Sequence, residues 1–139
     1  MAASNNISHR IAILYSEDAI RCLKRVFARK GLDIEDTKLK TGPRSVYLDA
    51  KIIFHGTRVG RLHYSYREGV LDTDIHFSIF GHSFPANSDK WEDRIADKSS
   101  RCIKGRPKIR KWAAWAAKQF LDHLANNNVL RAAEHIHTV

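Results

Sequence analysis

The alternation of polar and apolar residues changes period along the chain, and the changes mark its elements. Between residues 17 and 30 apolar residues recur at helical spacing. Ile20, Leu23 and Phe27 share one face, flanked by Ala19 and Val26, while Arg21, Lys24, Arg25 and Arg29 line another flank. Ser16 before Glu17 and Asp18 reads as an N-cap with acids in the first turn, and Gly31 after Lys30 reads as a glycine stop. A period of two then takes over. EDTKLK (35–40), VYLDAKIIF (46–54) and VGRLHYSYR (59–67) read as strands separated by the turns TGPRS and HGTR, and TDIHFSIF (73–80) reads as a further strand. Leu62, Tyr64 and Tyr66 alternate with Arg61, His63, Ser65 and Arg67, and Ile75, Phe77 and Ile79 oppose Asp74, His76 and Ser78. Both runs predict half-buried strands with one polar face. The pattern dissolves over 81–97, which reads as a loop with a short helix around 90–96. Helical period returns after Gly105 and Pro107, a glycine entrance and a first-turn proline, with Trp112, Ala113, Ala116, Phe120 and Leu124 on one stripe. The three asparagines 126–128 end it.

These elements predict an α+β fold of order α-β-β-β-(β)-α, an antiparallel sheet with its two main helices packed on one face. Residues 1–15 form an N-terminal extension: 1–8 are expected to fray, and 10–15 read as a strand or as a helix lead-in. Residues 16–125 make a single domain with an insertion at about 68–104, and 126–139 are a tail or a short helix. A chain of 139 residues can bury one core without disulfides or metal. Its two cysteines, Cys22 and Cys102, form no CxxC pair, which argues against a disulfide framework or a structural zinc and for a reducing compartment. With no apolar run of membrane-span length and no signal-peptide h-region, the expectation is a soluble intracellular protein, cytoplasmic or in the nucleoid or nucleus, without a membrane partner.

Charge sharpens this picture. The formal net charge is +9 and the pI is near 9.8, a balance that favours a polyanionic partner, with nucleic acid ahead of an acidic membrane surface. The bases are unevenly spread. Lys98, Arg101, Lys104, Arg106, Lys108, Arg110 and Lys111 run straight into the last helix with no acid between Asp97 and Asp122, whereas 68–97 holds seven acids against Lys90 and Arg94. A helix start already carries about half a unit of positive charge from its free N–H groups, so this end suits phosphate.

The order of elements resembles the double-stranded RNA-binding domain, a family with an α-β-β-β-α fold. CLKRVFARKGLDI (22–34) is similar to the family's first helix and its closing glycine-leucine, and Gly42-Pro43 to the start of its glycine-proline-x-histidine loop. AKIIFHGTRVGRL (50–62) is similar to its second hairpin, and 110–124 to its basic, alanine-rich last helix. Together these cover rather more than half of the chain. Two departures stand out. Ser45 occupies the place of the family's loop histidine, and some forty residues with an extra strand separate Leu62 from the last helix. The resemblance implies a module that reads duplex or structured RNA by shape, through phosphates and 2′-hydroxyls. On it, Arg110, Lys111 and Lys108 would face major-groove phosphates, while Lys24, Arg25 and Arg44 approach the adjoining minor grooves; Arg106, in the basic run at the helix start, is a further candidate for phosphate.

Other chemistry is less specified. Trp115 projects on the side of Lys111, Lys118 and Asp122, where it would stack on a base, anchor a partner protein together with Lys118, or be covered by the inserted 81–97 segment. A protein-interaction or inhibitor module is therefore the second reading. His63, Asp74 and His76 fall on the polar sides of neighbouring strands, and a metal-dependent enzyme on that face is the third, against plain solvent-facing sheet histidines. No HExxH, nucleophile motif or glycine-rich phosphate loop is present. The sequence thus predicts no cofactor and no metal site, and an open sheet edge with an exposed tryptophan would permit a homodimer.

Overall fold

The computed structural model describes residues 2–68, 73–82, 92–100 and 106–126. They form helix α1 (Ala2–Ala28), strands β1 (Leu32–Glu35), β2 (Lys40–Gly42), β3 (Ser45–Phe54), β4 (Thr57–Glu68), β5 (Thr73–His82) and β6 (Glu92–Ser100), and helix α2 (Arg106–Asn126). The architecture is α+β: an antiparallel six-stranded sheet in the order β1-β3-β4-β5-β6, with β2 also paired to β3. Alternation decides which side is covered. Leu48, Ala50 and Ile52 of β3, Leu62 and Tyr64 of β4, Ile75, Phe77 and Ile79 of β5 and Ala96 of β6 point inward and are buried, and both helices pack on that face.

The helices run in the same direction across the sheet. Ser16 of α1 hydrogen-bonds Tyr64, and Trp112 of α2 stacks near Phe77, the strand partner of Tyr64. Farther along, Gly31 lies against Phe54 while Phe120 covers Gly60. Gly60 and Gly81 face each other across β4 and β5, and a Cβ at either would collide with α2: at Gly60 with the Phe120 ring at 2.7 Å, at Gly81 with the His123 ring at 2.7 Å. This glycine pair is the flat seat on which the last turns of α2 rest. His123 adds a hydrogen bond to the carbonyl of His82 at 3.2 Å.

Several expectations require correction. The first helix does not start at residue 17. It spans Ala2–Ala28 and absorbs 10–15, so no N-terminal strand forms. Ser16 is no cap: it lies fully buried inside the helix, and its hydroxyl shares a 2.7 Å hydrogen bond with the Tyr64 hydroxyl. The stop at Gly31 holds, with φ +78° and its N–H bonded to the Ala28 carbonyl at 3.0 Å. EDTKLK is not one strand, because Asp36 adopts φ 62° and breaks it, leaving β1 before and β2 after. Of the helix expected around 90–96, residues 92–96 are instead part of β6, pulled into extended form by its ladder with β5, and 90 and 91 lie outside the described residues. The described residues of the insertion therefore include two strands, where one was expected. The 126–139 tail beyond Asn126 lies outside the described residues, as do Arg101, Cys102 and Lys104.

Turns follow their chemistry. His55 and Gly56, both at positive φ (49° and 75°), join β3 to β4 as a tight two-residue turn. Pro43 and Arg44 join β2 to β3, closing the Gly42–Ser45 pair.

Candidate nucleic-acid interface

Helix α1 carries Arg21, Arg25 and Arg29 at a spacing of four, so they form one row along its axis, about 6 Å apart in rise. That row lies at the cleft between α1 and α2. Arg110, from the second turn of α2, joins it there, and the cleft is lined by these four arginines with Cys22 and Val26 below and Asp18 as its single carboxylate among the described residues. Asp18 approaches Arg21 at 3.6 Å, a solvated helix-surface pair in which Arg21 stays 59% exposed. Arg25, Arg29 and Arg110 are exposed and form no salt bridge with a carboxylate among the described residues. Four guanidinium groups against one carboxylate leave a strongly positive cleft. Each offers planar donors suited to phosphate oxygens, which lysine would meet only as a point charge.

The sequence-predicted residues divide around this cleft. Arg25 and Arg110 come together in it. Lys24 lies on the other side of α1, in a groove that also touches Arg21 and Arg25. Lys108 and Lys111 are exposed on the first half of α2, and Arg106 is the residue at which that helix starts. Arg44 sits exposed on the β2–β3 turn and lines neither hollow. Trp115 is 49% exposed, on the same side as exposed Lys111, Lys118 and Asp122, as the helical wheel predicts. Arg21 and Arg29 were not among the residues singled out for binding, although the four-residue spacing 21/25/29 is legible in the sequence.

The face of the sheet away from the two helices holds a second set of polar groups. Asp49 of β3 receives Arg61 at 2.7 Å and His63 Nδ1 at 3.0 Å, and Arg61 and Arg94 both lie over the Phe80 ring. Next to this, Asp97 of β6 meets His76 Nε2 at 2.5 Å and Ser78 Oγ at 2.7 Å, with Ser78 and His76 2.9 Å apart. The trio contains serine, histidine and aspartate, yet Ser78 and Asp97 converge on the same ring nitrogen. A serine activated by histidine needs the carboxylate on the opposite nitrogen. Ser78 is also 3% exposed, so the trio ties β5 to β6. Of the His63, Asp74 and His76 set, His63 goes to Asp49, His76 goes to Asp97, and Asp74 pairs in register with Arg67. Among the described residues no group of three His, Cys, Asp or Glu side chains is placed to hold a metal.

Both aspartates sense acid. Burial raises the Asp49 carboxyl, but the hydrogen bonds from His63 and Arg61 outweigh it and leave the pKa below the ordinary value. At Asp97 burial likewise raises it, and the bonds from Ser78 and His76 lower it further than that. A carboxyl with a depressed folded pKa stabilises fully above its unfolded value near 4, and the contribution is lost as pH falls through the lower folded one. Each group is more than a third exposed, so solvent holds each contribution to under about 1 kcal/mol. Urea midpoints measured from pH 6 to pH 2 should fall on the acid side, and Asp49→Asn/Asp97→Asn should flatten that fall. A double variant with an unchanged acid limb would remove these pairs from the account.

No helix among the described residues is long and apolar enough to cross a membrane. No protein-family model matches the chain, and neither a curated protein nor a solved structure matches it.

Proposed function

We propose that this protein is a non-catalytic nucleic-acid-binding module that holds double-stranded or structured RNA through its phosphate backbone. The observation that carries the reading is the convergence of Arg21, Arg25, Arg29 and Arg110 on one cleft with a single carboxylate among the described residues. The 6 Å step along α1 is comparable with the separation of neighbouring phosphates on one strand. Two helices running in the same direction on one face of an antiparallel sheet are consistent with the order that the double-stranded RNA-binding resemblance implies. On that reading Arg25, Lys24, Arg110, Lys111 and Lys108 lie along α1 and the start of α2, the elements that would track the duplex. Ser45 in place of the loop histidine weakens the minor-groove contact from the β2–β3 turn, so the arginine cleft has the larger share of the binding.

A gel-shift panel tests this with duplex RNA, duplex DNA and single strands at two salt concentrations. Duplex RNA is expected to bind best and to lose affinity steeply with salt, with a log–log slope on the order of −4 for about five phosphates. Equal retention of duplex RNA, duplex DNA and single strands, or none at low salt, would sink the reading. The protein-interaction reading rests on the half-exposed Trp115 between Lys111 and Lys118. It predicts salt-insensitive association with a protein that Trp115→Ala abolishes.

A further inference from the structure

On the side of α1 away from the arginine cleft, the helix lies beside a free sheet edge. β1 pairs with β3 through Leu32↔Phe54 to Glu35↔Lys51, and among the described residues no strand pairs with its other side. In an antiparallel pair alternate residues turn their N–H and C=O groups away from the partner, so this edge offers unused backbone donors and acceptors. Between the edge and α1 runs a cleft of about 570 Å³, with Ile20, Ile34 and Leu39 on its floor, Arg21, Lys24 and Arg25 along its helical wall, and two carboxylates, Glu17 on the helix and Asp33 on β1, against those three cations. It continues toward Ile13 through a second hollow that shares Glu17, Thr37 and Leu39.

A helix set beside an unpaired strand edge, with an apolar floor between them, is the geometry in which an extended peptide adds a strand. We infer that this cleft takes an extended segment of a partner protein, which joins β1 as a seventh strand and presents apolar and acidic side chains, at every second position, to the floor and to α1. Charge and period together choose the occupant. Residues of an added strand that point to the covered face meet Ile20, Ile34 and Leu39, then the cations of Lys24 and Arg25, which extend from exposed positions over the cleft. The neighbouring residues point to the other face, beside exposed Glu35 and beside Asp33, which also borders the cleft, so acids are disfavoured there. The expected ligand therefore alternates: apolar or acidic inward, neutral or basic outward. Arg21 and Arg25 lie on the ridge between this cleft and the arginine cleft, so peptide and nucleic acid would compete for them. The inference does not depend on RNA binding.

The probe is a random decapeptide library displayed on phage and panned against the full chain, followed by amide chemical-shift mapping with the best synthetic peptide. Enriched sequences should alternate as described, shift the amides of 33–39 and of 17–28, and lose binding when the alternate backbone nitrogens are methylated. Lys24→Glu/Arg25→Glu, at exposed positions, should weaken the peptide about tenfold or more, whereas Arg29→Glu/Arg110→Glu should leave it unchanged. Enrichment no better than for the Lys24→Glu/Arg25→Glu chain, or binding that survives N-methylation, would overturn the inference. So would shifts confined to the arginine cleft.

Discussion

Gly60→Ala should destabilise the protein by about 3 kcal/mol or more, lowering the thermal midpoint by roughly 10 °C, although it adds one methyl group. The added Cβ would lie 2.3 Å from the Phe80 carbonyl oxygen and 2.7 Å from two atoms of the Phe120 ring. The ring could turn aside only by leaving the seat that holds α2 on the sheet. The carbonyl belongs to the backbone of β5 and cannot retreat without opening the β4–β5 ladder. Gly81→Ala is the matched control. Its nearest neighbours are side-chain atoms, Ile95 Cδ1 at 2.3 Å and the His123 ring at 2.7 Å, which can swing away, so a smaller cost of about 1–2 kcal/mol is expected. Urea unfolding of both variants checks the ordering. A Gly60→Ala protein as stable as the parent would mean that α2 does not rest on this glycine pair.

That seat illustrates what the sequence left unread. A glycine in a strand can mark a close backbone approach, but nothing local says that Gly60 and Gly81 face one another or that Phe120 lies above them. The periodic parts were legible: the α1 stripe of Ile20, Leu23 and Phe27, the inward residues of β3, β4 and β5, and the α2 stripe of Ala113, Ala116, Phe120 and Leu124 are buried as the pattern predicts, with Tyr66 and Trp112 of the same sets only partly buried at the core's margin. The failures share a cause, a partner distant in sequence. Ser16 carries every local sign of a cap, yet Tyr64, 48 residues away, takes its hydroxyl and the helix runs through it. β6 has the composition of a loop, with Ala96 its one buried apolar side chain, and it is extended because β5 supplies its hydrogen bonds. Its ties, Asp97 to Ser78 and His76, also cross between strands.

The candidate site was half legible for a similar reason. Arg25 and Arg110 could be chosen one by one as helix-surface bases, but that they share a cleft follows only from how α1 and α2 pack. The spacing of Arg21 and Arg29 about Arg25 was visible, yet a basic helix flank is as often a solvated face. What distinguishes the two is the second helix, which closes the row into a concave surface with Arg110 on its far wall. The peptide cleft was less legible still, because it needs α1 to lie beside β1, and β1 itself was displaced along the chain from the strand expected at 35–40.

Reversing three charges in the cleft separates a built site from diffuse basicity. Arg25→Glu/Arg29→Glu/Arg110→Glu should lower duplex-RNA affinity about a hundredfold or more, since each lost charge-assisted contact at an exposed position is worth about 1 kcal/mol or more and each new carboxylate repels phosphate. The salt dependence should change with it, the log–log slope becoming shallower by about 2 to 3 as three phosphate contacts disappear. The comparison is Lys40→Glu/Arg58→Glu/Arg67→Glu, three exposed bases on β2 and β4 that line no part of the cleft. Both triple variants change the net charge equally, so steering by overall charge falls by the same amount in each. Only the cleft variant should lose the steep salt slope. Parallel losses of affinity and slope in the two proteins would show that the +9 charge acts as a whole and that the four arginines form no site.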